Sequence, residues 1–148
     1  MEYLNGHNVL CLATTRDNQP WVSPVFYTVW QNSLLFLSAP HTRHCKNLEL
    51  NPLASGSIQE DYADWKCIKG IQLEGRVEPV AENYRSSAVD CYVDKFPVTG
   101  PDASVEIANA LDRVSWYQLL PGKMYLIDNS KGLGNREEVD LEQLFKHH

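Results

Sequence analysis

Thr42, Arg43 and His44 stand in "HTRHCKNLELNP", residues 41–52, where the pattern predicts a short helix that opens at Thr42 and is stopped by Asn51-Pro52. Thr42 is an acceptable N-cap, and Leu48 and Leu50 supply apolar contacts. Cationic side chains at a helix start work against the helix dipole. The same start exposes backbone N–H groups with no partner inside the helix, so cations beside them make an anion site, and phosphate is the obvious guest. The competing reading is a solvated helix start with Thr42 acting only as a cap.

Other site chemistries have little in the chain to build on. There is no Ser-His-Asp set, no Walker phosphate loop and no dinucleotide fingerprint. Cys11, Cys45, Cys67 and Cys91 are far apart and form no C-x-x-C pair, so free thiols in a reducing compartment are expected. Cys45 lies close to His41 and His44, but no second ligand pair accompanies them, and no metal site is expected. Asp61 and Asp64 read as loop charges rather than general acids. No catalytic side chain can be assigned, so any turnover has to be carried by a cofactor that the protein positions.

The chain has 148 residues, the size of one domain, and residues 1–148 are expected to form a single one. Its 13 Lys and Arg against 19 Asp and Glu give a net charge of −6, and no stretch carries the basic field that nucleic acid or an anionic membrane requires. Neither partner is expected. The N-terminal "MEYLNGHNVLCLATT" lacks a positive flank and a long apolar core, no run is long enough to span a bilayer, and a cytoplasmic location is the expectation. The closing His147-His148 reads as a tag remnant or a native tail.

The elements that must position residues 42–44 are mostly strands. "VLCLATT" (9–15), "WVSPVFYTVW" (21–30) and "SLLFLSA" (33–39) are joined by the hairpin-length connections "RDNQP" and "QN". Pro24 inside the second belongs at an edge or bulge, where a missing N–H is tolerated. "PLASGSIQ" reads as a fourth strand and "KCIKGIQLEGRVEPV" as a long fifth, with Ile71, Leu73 and Val77 on one face. In the fifth, Gly70 and Gly75 permit sharp curvature or close approach. "AENYRSSAVDCYVDKF" and "ASVEIANAL" read as helices, "DRVSWYQLLPGKMYLID" as a strand, and "REEVDLEQLF" (136–145) as an exposed helical tail. Short antiparallel strands with few inserted helices indicate a mainly β fold, a small closed or nearly closed barrel.

"VLCLATTRDNQPWVSPVFY", "LLFLSAPHTRHCKNLELNPLASGSI" and "IKGIQLEGRVEPV", in that order and spacing, resemble the pyridoxamine 5'-phosphate oxidase-like superfamily of FMN-binding split barrels. "TRH", "FPV" and "KGLGNRE" are similar to a small, poorly characterised branch of it. The resemblance implies a split β-barrel that pairs as a homodimer and holds FMN in a groove between the two barrels. It places Thr42, Arg43 and His44 where the superfamily has a Ser or Thr, an Arg and a Lys around the FMN phosphate, with His44 replacing the Lys. It directs flavin contacts to Ser23, Pro24, Val25 and Phe26, whose backbone groups can bond the pyrimidine edge, and to Lys69 and Gly70, where the oxidase carries Arg-Gln. Trp116 and Trp65 are candidates for lining the pocket.

The oxidase's own substrate is a poor match. Phe96 in "YVDKFP" stands where an Arg would bind the substrate phosphate, and the late Arg-x-His pair has no counterpart in "KGLGNRE". A phenyl ring cannot form the bidentate pair that Arg makes with phosphate. "YVDKFPV" is expected to shape the pocket mouth, and an apolar or aromatic substrate fits better. Three function classes follow: an FMN-dependent oxidoreductase acting on a small-molecule substrate or electron donor, a non-catalytic FMN carrier or sensor, and a haem- or deazaflavin-binding relative. For haem, His41 or His44 are the axial candidates by residue type.

Overall fold

Residues 2–146 are described in a computed structural model, and His147 and His148 lie outside the described residues. Seven strands form one sheet: β1 (Val9–Arg16), β2 (Gln19–Trp30), β3 (Ser33–Ser38), β4 (Leu53–Gln59), β5 (Lys69–Pro79), β6 (Ser115–Asp128) and β7 (Arg136–Glu138). The helices are α1 (Glu2–Gly6), α2 (Arg43–Leu50), α3 (Arg85–Lys95), α4 (Val105–Leu111) and α5 (Leu141–Phe145). The strand order is β3-β2-β1-β4-β5-β6-β7, and a further pairing of β3 with β6 closes the first six strands into a barrel. β7 adds to the outside of the closure through β6. The fold is the mainly β split barrel expected from the sequence.

The turns show why the chain doubles back where it does. Arg16 faces Gln19 across a two-residue loop in which Asp17 and Asn18 both have positive φ, 51° and 59°. Such a loop matches the twist of the flanking strands, and Asp and Asn tolerate this conformation better than other residues with a Cβ. Gln31, φ 52°, serves the next hairpin, where Trp30 faces Ser33.

Alternate residues of the strands fill the barrel. Leu10, Leu12, Tyr27, Leu34, Phe36 and Leu119 are fully buried there, and the Tyr27 hydroxyl donates to the Leu4 carbonyl at 2.6 Å. α2 lies against β1 and β2 and turns Cys45 and Leu48 into buried positions, Leu48 as part of the barrel core. A second apolar cluster sits outside the barrel under α3, where Trp30, Leu35, Ala88, Tyr92 and Trp116 pack together.

One pairing is incomplete. β2 pairs with β1 from Gln19 to Phe26, but with β3 only from Tyr27 to Trp30. Beyond Phe36, the β3 residues Leu37 and Ser38 pair with β6 alone. The barrel wall therefore opens between the first half of β2 and the end of β3. Tyr27 N–H donates to Asn8 O at 3.0 Å on the β1 side, so ladder alternation turns the backbone groups of Val22, Pro24 and Phe26 toward the open edge. Pro24 is tolerated because its missing N–H falls on that edge.

Two expectations need correction. The stretch 136–145 is not one exposed helix: Arg136–Glu138 is a strand on β6, and Leu141, Leu144 and Phe145 pack half-buried on the barrel core. Asp140, whose carboxylate accepts from Gln143 N–H at 3.0 Å, starts the short helix α5. The fifth strand starts at Lys69 rather than Lys66, because Trp65–Cys67 form a 3₁₀ turn.

Gly75 is the position where a side chain is least affordable. The β5–β6 register shifts between Glu74 and Gly75, and a Cβ on Gly75 would overlap the Leu120 carbonyl and come within 2.9 Å of Pro121 Cα. Both are backbone and cannot rotate away. Gly75→Ala is expected to lower unfolding stability in urea by about 3 kcal/mol, the upper end of ordinary overpacking costs. Gly6→Ala, with nothing within 4 Å of the new Cβ, is the neutral control. Equal midpoints for the two variants would contradict this packing.

Candidate functional site

α2 begins as its sequence predicts, but its cap does not cap. Thr42 occupies the N-cap position with extended backbone and makes no side-chain bond to the first turn. Its hydroxyl instead donates to the Ala39 carbonyl at 2.9 Å. Lys46 N–H bonds back to Thr42 O at 3.0 Å, which leaves the N–H groups of Arg43, His44 and Cys45 with neither an intrahelical partner nor a capping side chain.

The three residues divide between two directions. Arg43 is exposed, with its guanidinium carbon 4.3 Å from the centroid of the Trp21 ring. Stacking holds the guanidinium plane while leaving its edge N–H donors available. His44 is buried, its Nε2 2.5 Å from Ser38 Oγ and 3.2 Å from Thr42 Oγ1. Because the Thr42 proton is committed to Ala39, the Nε2–H tautomer of His44 satisfies both hydroxyl oxygens. His44 thus ties the end of β3 to the start of α2 and directs its ring away from the exposed face.

Cys45, buried beside His44, is under opposing influences. Burial pushes its thiol up, but the polar side chains around it, His44, Thr42, Ser38 and Tyr117, together outweigh this and bring it down to about 7. Tyr117 moves the other way, up to about 12, through burial and its contact with Cys45.

From the Arg43–Trp21 pair, the open edge of β2 runs to Phe26, a span of about 17 Å at strand rise. Ser23 and Val25 point their side chains into the barrel, where they are buried, and their backbone groups face β1 rather than this edge, whereas the Pro24 and Phe26 side chains point outward. At the far end, Phe26 meets Phe96 edge-to-face at 5.5 Å, and Phe96 packs on Tyr92 at 4.8 Å. The "YVDKFP" segment therefore stands over one end of the open edge. The outer face alongside is apolar: Val22, Pro24 and Phe26 sit beside Ala13, Cys11 and Val9, and Val22 and Phe26 are 58% and 57% exposed.

Lys69 and Gly70 are elsewhere in the subunit. They begin β5, and β1 and β4 lie between them and β2. Lys69 Nζ is 3.5 Å from Asp128, and Gly70 is buried with Ile58 O close by. Trp116 is buried in the cluster under α3, with Tyr92 edge-to-face at 5.5 Å and the Arg85 guanidinium 4.9 Å over its ring. Trp65 is 74% exposed on its 3₁₀ turn next to Lys69. The structure thus brings Thr42, Arg43 and the 22–26 edge together, and sets Lys69, Gly70 and Trp65 apart from them.

Sequence reasoning missed three residues here: Trp21 as the platform for Arg43, and Arg16 and Lys46 as companions of its charge. Arg16, Asp17, Gln19, His41, Arg43, Lys46 and Asn47 line a single cleft of about 350 Å³ between α2 and the β1–β2 turn. The three-residue spacing of Arg43 and Lys46 on one helix was a signal for the second. Nothing local pointed to Arg16.

Comparison with known proteins agrees with this architecture. The chain is 27% identical over 136 residues to a UPF0306 protein of Photorhabdus laumondii, covering 90% of this chain and 88% of that one. Among solved structures, it is similar to a heme binding protein from Mycobacterium smegmatis, with a TM-score of 0.72 at 21% identity. That match covers 95% of this chain but 56% of the other. It is also similar to a FAD-binding protein from Mesorhizobium loti, with a TM-score of 0.64 at 18% identity, covering 83% and 87% of the two chains. The family model described as pyridoxamine 5'-phosphate oxidase matches residues 1–115, most of the barrel together with the start of α2 and its cleft, and the chain belongs to that family.

Proposed function

We propose that the protein is an FMN-binding homodimer that acts as an oxidoreductase on a small molecule. The observation that carries the reading is the uncapped start of α2, beside a stacked Arg43 that is absent from the ion pairs among the described residues. A phosphate there would be bonded by first-turn N–H groups and by the guanidinium edge. The open β2 edge supports the rest of the reading, because the backbone groups of Val22 and the Pro24 carbonyl lie along it beyond the end of the β2–β3 ladder at Tyr27–Phe36. These are the groups a flavin's pyrimidine edge needs, and no particular side chain is required.

A bound flavin would supply hydride or one-electron chemistry. The chain's own part is to hold the phosphate, pair with the ring edge and cover it with Phe96 and the segment after α3. The missing Arg at Phe96 argues against a second phosphate at that end, and so against pyridoxamine phosphate as substrate.

The homodimer reading rests on two features. Val9, Val22, Phe26 and Leu53 leave an apolar outer face on β1, β2 and β4. Lys69 and Gly70 are too far round the barrel to share a ligand with their own subunit's Arg43, but a second copy could present them. A carrier or sensor would use the same seat without turnover, and steady-state reduction by a nicotinamide cofactor separates it from the enzyme. A haem relative would need an axial ligand. His44 Nε2 is already bonded to two hydroxyls, which leaves His41 of the two candidates.

Two outcomes are expected. Arg43→Ala should weaken FMN binding roughly 10- to 100-fold, the worth of one charge-assisted hydrogen bond, while leaving riboflavin binding unchanged in fluorescence titration. Equal losses for the two ligands would remove the phosphate role. Sedimentation equilibrium at micromolar protein should give about twice the 16.9 kDa chain mass, and a pure 16.9 kDa species would contradict the homodimer.

A further inference from the structure

The cleft beside Arg43 holds more positive charge than one phosphate uses. Arg16 stands at the end of β1, His41 in the turn before α2, and Lys46 one helical turn beyond Arg43; all line the same space. The single acid there, Asp17, reaches Arg16 Nε at 3.3 Å, in a pair with both side chains largely in solvent. Exposed neighbours of this kind bind each other weakly. Among the described residues neither Lys46 nor His41 joins an ion pair. On a chain with net charge −6, three permanent cations around one cleft, with one exposed acid, are not an average of the composition.

Size and support add to the charge. The cleft's volume of about 350 Å³ is roughly a dozen times the share of one liquid water, ample for more than a single phosphate group. Its floor is fixed: Asn47 is 4% exposed, and its amide donates to the buried Thr14 hydroxyl at 3.1 Å, which ties α2 to β1. Arg43 is held on Trp21 at one side, and the tight Asp17-Asn18 turn sets where Arg16 leaves its strand.

We propose that Arg16, His41 and Lys46 form a second anion subsite, contiguous with the phosphate position at Arg43, so that the seat proposed for FMN also accepts a ligand carrying a diphosphate. In cofactor terms this is a flavin whose phosphate continues into a second one. The inference rests on the flavin reading for the ring, but not for the anion, and the two can fail separately. Lys46 and Arg16 act on the second phosphate, whereas Arg43 and the first-turn N–H groups act on the first.

The test is a set of titrations on the full chain: FAD, FMN and riboflavin by flavin fluorescence, and pyrophosphate and orthophosphate by calorimetry. FAD should bind at least tenfold tighter than FMN, and pyrophosphate at least tenfold tighter than orthophosphate. Lys46→Ala and Arg16→Ala should each remove most of both preferences while changing FMN affinity less than threefold. A steeper salt dependence for FAD than for FMN should accompany this, since more charges are neutralised. If no flavin binds but pyrophosphate retains its Lys46-dependent preference, the flavin reading fails and the two-anion subsite stands. If pyrophosphate binds no better than orthophosphate, or the two variants weaken FMN and FAD equally, the subsite is overturned.

Discussion

The parting of β2 from β3 is the constraint on which the site depends. After Tyr27–Phe36 the two strands separate, and β3 closes the barrel with β6 instead. This leaves the eight residues Gln19–Phe26 of β2 outside the β2–β3 ladder and paired with β1. An unpaired strand edge is normally a liability, because its N–H and C=O groups invite another chain. Here the edge is bounded by α2 and the stacked Arg43 at one end and by Phe96 at the other, and it carries Pro24 in its middle. A proline and bulky flanks discourage a strand from docking, while a flat ligand needs only the remaining groups.

Closing the barrel through β6 also decides where α2 goes. β3 ends in Ser38, whose hydroxyl contacts His44, so the turn through Ala39–Thr42 is pinned from both sides. The same network takes Thr42 away from its capping duty and His44 away from the surface. The helix start is thereby left with free N–H groups and one outward cation. This is an arrangement stabilised by what surrounds it, since an isolated helix with this sequence would cap itself with Thr42 and be disfavoured by Arg43.

Much of the barrel was legible in the sequence because its signals are local. Asp17-Asn18 and Gln31-Asn32 mark tight turns, apolar alternation marks the strand faces, and Pro24 marks an edge. The tail was misread because Arg136–Glu138 is only three exposed residues long, with no periodicity, and becomes a strand only because β6 is there to pair with it. Asp140, which caps the helix after it, was a local signal that the reading of one continuous helix did not use. The start of α2 at Arg43 was legible, but the inward turn of His44 depends on Ser38, and the place of Arg16 beside it depends on α2 packing across β1. Those are contacts between elements, and the residue pattern within either element does not carry them. Among the described residues no helix is long and apolar enough to cross a membrane.

The central claim is that the open edge of β2 seats a flavin whose phosphate sits at the start of α2. Amide hydrogen exchange, resolved by residue, tests it most directly, because the edge alternates. Without ligand, Val22 and Phe26 N–H groups should exchange far faster than those of Val25 and Tyr27, which bond to the β1 side. Adding FMN should slow exchange at Val22 or Phe26 and in the first turn of α2, at Arg43 to Cys45, with little change at Val25 and Tyr27. Bound FMN with both the β2 edge and the α2 start exchanging as before would contradict the account.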